Sequence, residues 1–204
     1  MKKILTLLVG ILLVSAVSAQ PNNEKHLWKE AKKRAKELTA EGWVVDSSMS
    51  LETILFNHYK KLSTEGTSEL VGNVIGNTSV VTVNQGQQWA TTSACISYAK
   101  ESAMSLKGRL VAEVGAGVAG SPSADSFYEG YESSLSKELA GEVKKSFGIY
   151  KNKKDGTIDY IGYFVVNEEN AHKARMKAME AAMIESEFAR SNAERISQFV
   201  RNGQ

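Results

Sequence analysis

The chain has 204 residues, 42% of them apolar, with 25 Lys and Arg against 23 Asp and Glu. So even a balance gives no basic footprint of the kind that drives nucleic-acid binding. A single cysteine, Cys95, excludes an internal disulfide, so stability must come from a packed core.

The N-terminus reads as a secretory signal peptide. Lys2 and Lys3 form a basic start, residues 4–14 are almost wholly apolar, and Val17, Ser18 and Ala19 precede Gln20. Cleavage is expected after Ala19, and the apolar run is short for a membrane span. A lipoprotein would carry cysteine as the first mature residue; Gln20 stands there instead. Loss of Lys2 and Lys3 leaves 23 basic against 23 acidic residues, so the mature chain of 185 residues is formally neutral. Residues 20–204 are expected to form one soluble domain without a transmembrane segment. Within it, 24–64 hold N-terminal helices and a short strand, 68–166 the core, and 167–204 a long C-terminal helix.

Over 24–41, Leu27, Trp28, Ala31, Ala35 and Leu38 recur at helical spacing, and Gly42 stops the run. Lys29, Lys32, Lys33 and Lys36 fall elsewhere on the turn and read as a solvated face. Residues 43–48 suggest a short strand. Ser50 is placed to cap a second helix with Leu51, Ile54, Leu55, His58 and Leu62 on one side. Residues 69–83 are rich in Val, Ile and Thr and read as extended, with a turn or bulge at Gly76-Asn77.

A helix is expected over 89–114, with Ile96, Ala99, Ala103, Leu106, Leu110 and Val114 on one face. Cys95 lies at the edge of that face and reads as a packed thiol, because no Cys-His signature accompanies it. Ser123 or Asp125 can cap a further helix bearing Phe127, Tyr131, Leu135 and Leu139. Residues 143–150 and 157–166 form a hairpin about Asp155-Gly156. Ile158, Tyr160, Phe164 and Val166 share one face; Ile161, Tyr163 and Val165 share the other. Asn167 can cap an alanine-rich final helix running towards Val200.

Three stretches invite a chemical reading. Gly115, Gly117 and Gly120 match G-x-G-x-x-G, yet the preceding residues have a helical period, Ser121-Pro122-Ser123 follows, and no second strand ends in an acid about 20 residues on. The glycines are expected to end the helix and form a link. Asp155-Gly156 resembles the centre of an EF-hand loop, but Lys151, Lys153 and Gly162 would occupy positions that need oxygen ligands. On the last helix, His172, Met176, Met179 and Met183 line one face, a soft donor row that would suit Cu(I). Methionines at helical spacing also serve as adaptable packing. His26, His58 and His172 lie far apart, with no zinc spacing. No nucleophile motif is present, so no catalytic residue and no cofactor is expected.

The order of elements resembles a superfamily of small bacterial cell-envelope domains that includes an outer-membrane lipoprotein family and the N-terminal domain of a flagellar T-ring protein. The resemblance spans about residues 68–183. It rests on extended Leu70-Val71-Gly72, a helix with Ala90, Ala94, Ala99, Ala103 and Leu106, and the Asp155-Gly156 hairpin. It implies an α+β fold, a small mainly antiparallel sheet packed by the alanine-spaced helix, and interaction with an envelope protein rather than catalysis. The chain departs from the lipoprotein members in lacking a lipid-bearing cysteine. The resulting expectation is a non-catalytic exported protein, periplasmic or secreted and peripheral to the outer membrane, that acts in interaction or assembly. The alternative is periplasmic copper binding through the His172–Met183 face.

Overall fold

The computed structural model describes residues 22–201; the signal-peptide assignment at 1–19 lies outside them. The N-terminal helix α1 (Asn22–Ala40) ends at Gly42, whose φ of +85° suits glycine. It leads to a two-residue strand, β1 (Val44–Val45), shorter than the 43–48 expected. The chain leaves the ladder after Asp46, whose amide still donates to the Gly148 carbonyl at 3.0 Å. Helix α2 (Leu51–Leu62) begins as expected, with Ser50 Oγ accepting from the Thr53 amide. Strand β2 (Thr67–Val74) follows, and the chain turns at Gly76.

The long helix α3 (Val83–Val114) starts six residues before the expected position. Thr82 and Gln85 form a capping box there, which is the physical start signal. Its buried face also differs from expectation. Ala99, Ala103, Leu106 and Leu110 are buried, whereas Ile96 is 37% exposed and Gly86, Ala90, Ala94 and Cys95 face inward instead. Small side chains win this face because α3 lies directly on the sheet. A Cβ on Gly72 would sit 1.8 Å from the Ala90 carbonyl oxygen, and one on Gly86 would sit 2.7 Å from the Tyr160 ring.

Gly115 closes α3 with φ +85°, and the link that follows is the short helix α4 (Ala116–Ala119). Helix α5 (Pro122–Ala140) is capped by Ser121, not Ser123 or Asp125. Pro122 occupies its first turn, where a missing amide hydrogen costs nothing. Strands β3 (Lys144–Asn152) and β4 (Ile158–Asn167) form the hairpin. Asp155 Oδ1 accepts from the Thr157 amide and hydroxyl, at 3.0 and 2.6 Å, and Gly156 has φ +81°.

Asn167 caps α6 (Glu168–Glu185), as expected, but the helix does not continue to Val200. Ser186 interrupts it and caps α7 (Glu187–Ser191); Asn192 ends that turn, and α8 (Ala193–Arg201) completes the described chain. The break swings Phe188 into the core, with its ring centroid 6.2 Å from that of Phe127.

The strands form one antiparallel sheet in the order β1-β3-β4-β2. Helices α1 and α2 cover one face, where Ala31, Leu38, Leu55, Phe147, Ile149 and Ile161 meet. Helices α3 and α5–α8 cover the other, around Leu70, Tyr160, Phe164, Leu110, Tyr131 and Ile196. The fold is therefore α+β, and the two faces of β4 divide as the alternation of its residues predicts.

Candidate functional site

The most unusual local feature of the sheet is a β-bulge. Lys145 pairs with Phe164 and Phe147 with Tyr163, so Ser146 is an extra residue on β3. The bulge resets the alternation of side chains. Lys145 is sent to the α3 face, while Ser146 and Phe147 both serve the α2 face. Two polar clusters arise, one on each side of the sheet.

On the α3 face the centre is Asp46, whose side chain is 3% exposed. Its Oδ2 accepts from Lys145 Nζ at 2.7 Å and from the Tyr160 hydroxyl at 2.5 Å, and its Oδ1 accepts from the Gly148 amide at 3.0 Å. Lys145 Nζ also donates to Gln87 Oε1 at 2.8 Å, which ties β3 to the first turns of α3. A buried carboxylate is tolerated because each oxygen is bonded and a cation is adjacent. A Cβ on Gly148 would lie 1.9 Å from the Tyr160 hydroxyl oxygen. Glycine at that position is what lets the phenol reach Asp46.

On the α2 face, the His58 imidazole is 1% exposed. Its Nδ1 is 2.9 Å from Ser146 Oγ and its Nε2 is 2.5 Å from Glu69 Oε1. Lys61 Nζ donates to the same Ser146 oxygen at 3.4 Å. Hydroxyl, imidazole and carboxylate in series are the parts of an acyl-transfer relay. Here they come from three elements, β3, α2 and β2, and His58 packs against the Phe147 and Tyr163 rings, at 5.1 and 5.9 Å. With both ring nitrogens bonded inside the fold, the arrangement cross-links α2 to the sheet.

The residues singled out by sequence lie elsewhere. Cys95 is buried, and burial pushes its thiol up to about 11, the direction of an inert cysteine. Met179 is 4% exposed within the core, and Met176 and Met183 pack against that core. His172 and Met176 line a shallow groove beside Glu138 and Glu142. Among the described residues, no group of three His, Cys, Asp or Glu side chains is arranged to hold a metal. Gly115 is entered from a helix, not from a strand. His26 is 66% exposed and lies 3.8 Å from Glu30. Sequence reasoning put His58 on the packed side of α2 but missed its partners Glu69 and Ser146, and missed Asp46 and Lys145 altogether.

Several tyrosines resist ionisation. Burial raises Tyr131 to about 12, opposed by its Ser102 hydrogen bond and by Arg175. Tyr160 is raised still further, by burial first and then by the Asp46 carboxylate. In the unfolded chain a tyrosine ionises near 10, so above that pH the native state holds more protons. Stability is therefore intact below about pH 10 and falls as pH rises through 10 towards 12. For Tyr131 alone the loss amounts to about 2–3 kcal/mol by pH 12. Urea unfolding from pH 8 to 12, followed with tyrosinate absorbance, measures this; stability independent of pH across 10–12 would contradict it.

The fold and its two polar clusters define a mixed α+β protein with helices on both faces of an antiparallel sheet. No protein-family profile, curated protein or solved structure matches this chain.

Proposed function

We propose that the chain is an exported, non-catalytic interaction module of the bacterial envelope, released from its signal peptide after Ala19 and recognising an envelope protein. The observation that carries this reading is the exposure of four large apolar side chains, two in the connection that leaves β2 and two on α3. Ile75, Val81 and Trp89 are each more than half exposed, at 53, 54 and 52%, and Ile96 is 37% exposed. Trp89 and Ile96 are seven residues apart, two turns, and so share a face of α3.

That face lies beside β2, an edge strand of the sheet. Ser93 Oγ, between the two apolar residues, donates to the Asn73 carbonyl at 3.5 Å. A tryptophan and branched aliphatics beside an edge strand are recognition elements of protein interfaces. Exposure of a tryptophan and three branched aliphatics supports a docking role. The family resemblance drawn on 68–183 points the same way.

A photo-cross-linking residue at Trp89, introduced into the full precursor in an envelope-forming bacterium, tests the reading. The mature protein should begin at Gln20, fractionate with the envelope, and give a discrete adduct that Ile96→Asp reduces at least tenfold. A cross-linker at exposed Lys29 should give none. A protein retained in the cytoplasm, or an adduct indifferent to Ile96→Asp, would defeat it. No helix among the described residues is long and apolar enough to cross a membrane.

A further inference from the structure

Helix α1 carries a ridge that neither the core nor the two polar clusters uses. Lys25, Lys29, Lys32, Lys33 and Lys36 are all exposed. At helical spacing they fall within an arc of about 100°, along a length of about 17 Å. The buried residues of α1, Ala31, Ala35 and Leu38, lie on the far side of the helix. There α1 seats on α2, with the Trp28 ring 5.0 Å from that of Phe56 and Glu24 2.7 Å from Lys60.

The sequence reads these lysines as a solvated face. The structure adds that the acids of α1 do not neutralise them. Glu24 pairs with Lys60, Glu30 lies 3.8 Å from His26, and Glu37 lies 3.2 Å from Arg34. No ion pair among the described residues engages any of the five lysines. Lys32 Nζ lies over the Trp28 ring instead, 5.5 Å from its centroid. The ridge is therefore a local excess of positive charge on a chain that is neutral from Gln20 onward.

The residue type says what the ridge fits. Arginine offers a rigid fork that recognises particular carboxylates, whereas lysine is a hydrated point charge on a flexible stem. The ridge is lysine alone, and the one arginine of α1, Arg34, is turned to Glu37. No large apolar side chain lies within the arc. Protein interfaces are poor in lysine and are built around such anchors. A row of point charges without an anchor suits a diffuse layer of negative charge, such as the headgroups of an anionic bilayer.

We infer that α1 docks the protein, through Lys25, Lys29, Lys32, Lys33 and Lys36, on the surface of a bilayer containing anionic phospholipid. The contact is electrostatic, because the apolar side of α1 is already buried in the fold and does not enter the lipid. Helices α1 and α3 cover opposite faces of the sheet, so docking leaves α3 clear of the bilayer.

The test is co-sedimentation of the mature protein with vesicles of phosphatidylcholine, with and without phosphatidylglycerol. Binding is expected only with phosphatidylglycerol, and is lost near 1 M sodium chloride, where the Debye length is about 3 Å. A triple variant, Lys29→Gln, Lys33→Gln and Lys36→Gln, should bind about 100-fold more weakly, roughly fivefold per lysine. It should keep the native circular dichroism, since these side chains are exposed. Lys137→Gln, Lys144→Gln and Lys154→Gln together remove the same charge from exposed positions on α5, β3 and the hairpin turn. That variant should bind within about twofold of the wild type, as its lysines are not in the ridge. Equal binding to both kinds of vesicle overturns the inference, and so does equal weakening by the two triple variants. Retention on polyglutamate through Lys29, Lys33 and Lys36 without vesicle binding also overturns it, and identifies an acidic protein as the partner instead.

Discussion

Asp46→Ala is expected to lower the unfolding free energy by about 3–5 kcal/mol, the cost of breaking a buried ion pair from one side. The substitution removes the acceptor for Lys145, for the Tyr160 hydroxyl and for the Gly148 amide at once. Lys145 is 29% exposed and can turn towards water, but the phenol and the amide have no such route. Asp46→Asn should cost less, because an amide oxygen can still serve one of the donors. A double variant, Asp46→Ala with Tyr160→Phe, should recover part of the loss, since the stranded hydroxyl is then gone. Urea titration of the wild type, Asp46→Ala, Asp46→Asn, Tyr160→Phe and the double variant gives the numbers. Additive losses in the double variant would show that the carboxylate and phenol act independently and would refute the cluster as described.

Gly72→Ala is expected to cost about 3 kcal/mol or more, at the upper end of overpacking effects. The added Cβ would lie 1.8 Å from the Ala90 carbonyl oxygen and 2.5 Å from its carbon, both backbone atoms in α3. No side-chain rotation can relieve that contact, so the helix must lift from the sheet along the face it shares with β2 and β4. Gly108→Ala, in the same helix but with open space around it, should instead stabilise the protein by about 0.5–1 kcal/mol through helix propensity. The opposite signs of the two substitutions, read from denaturation midpoints, separate close packing from backbone entropy. A neutral Gly72→Ala would mean that α3 does not rest on β2 as closely as described.

These two sites also show what a sequence discloses and what it hides. Local signals were readable: Ser50 and Asn167 as caps, Asp155-Gly156 as a turn, and the two faces of β4. Other local signals were present but outweighed. Thr82 and Gln85 spell a capping box, yet the preceding β-branched run favoured an extended reading. Ser121-Pro122 looked like an interruption and is a helix start. The inward face of α3 departs from its apolar period because Gly86, Ala90 and Ala94 carry little hydrophobic signal, while Ile96 carries much and is exposed. The polar clusters were beyond reach for a different reason. Asp46 meets Lys145 across 99 residues of sequence, and His58 meets Ser146 across 88, and a bulge of one residue decides which face each takes. No periodicity within a window reports a partner that distant.

The strand order carries a consequence for how the molecule comes into being. Both outer strands, β1 and β2, are made before either inner strand. Thr67 waits for Asn167, and Val74 waits for Tyr160. During synthesis, the eight-residue β2 therefore has no native edge to join until the β3–β4 hairpin exists. The hairpin closes locally, but the joins on either side of it span long loops and are the slow steps. If the chain is exported as proposed, threaded N-terminus first, this order leaves the sheet incomplete until most of the chain has crossed.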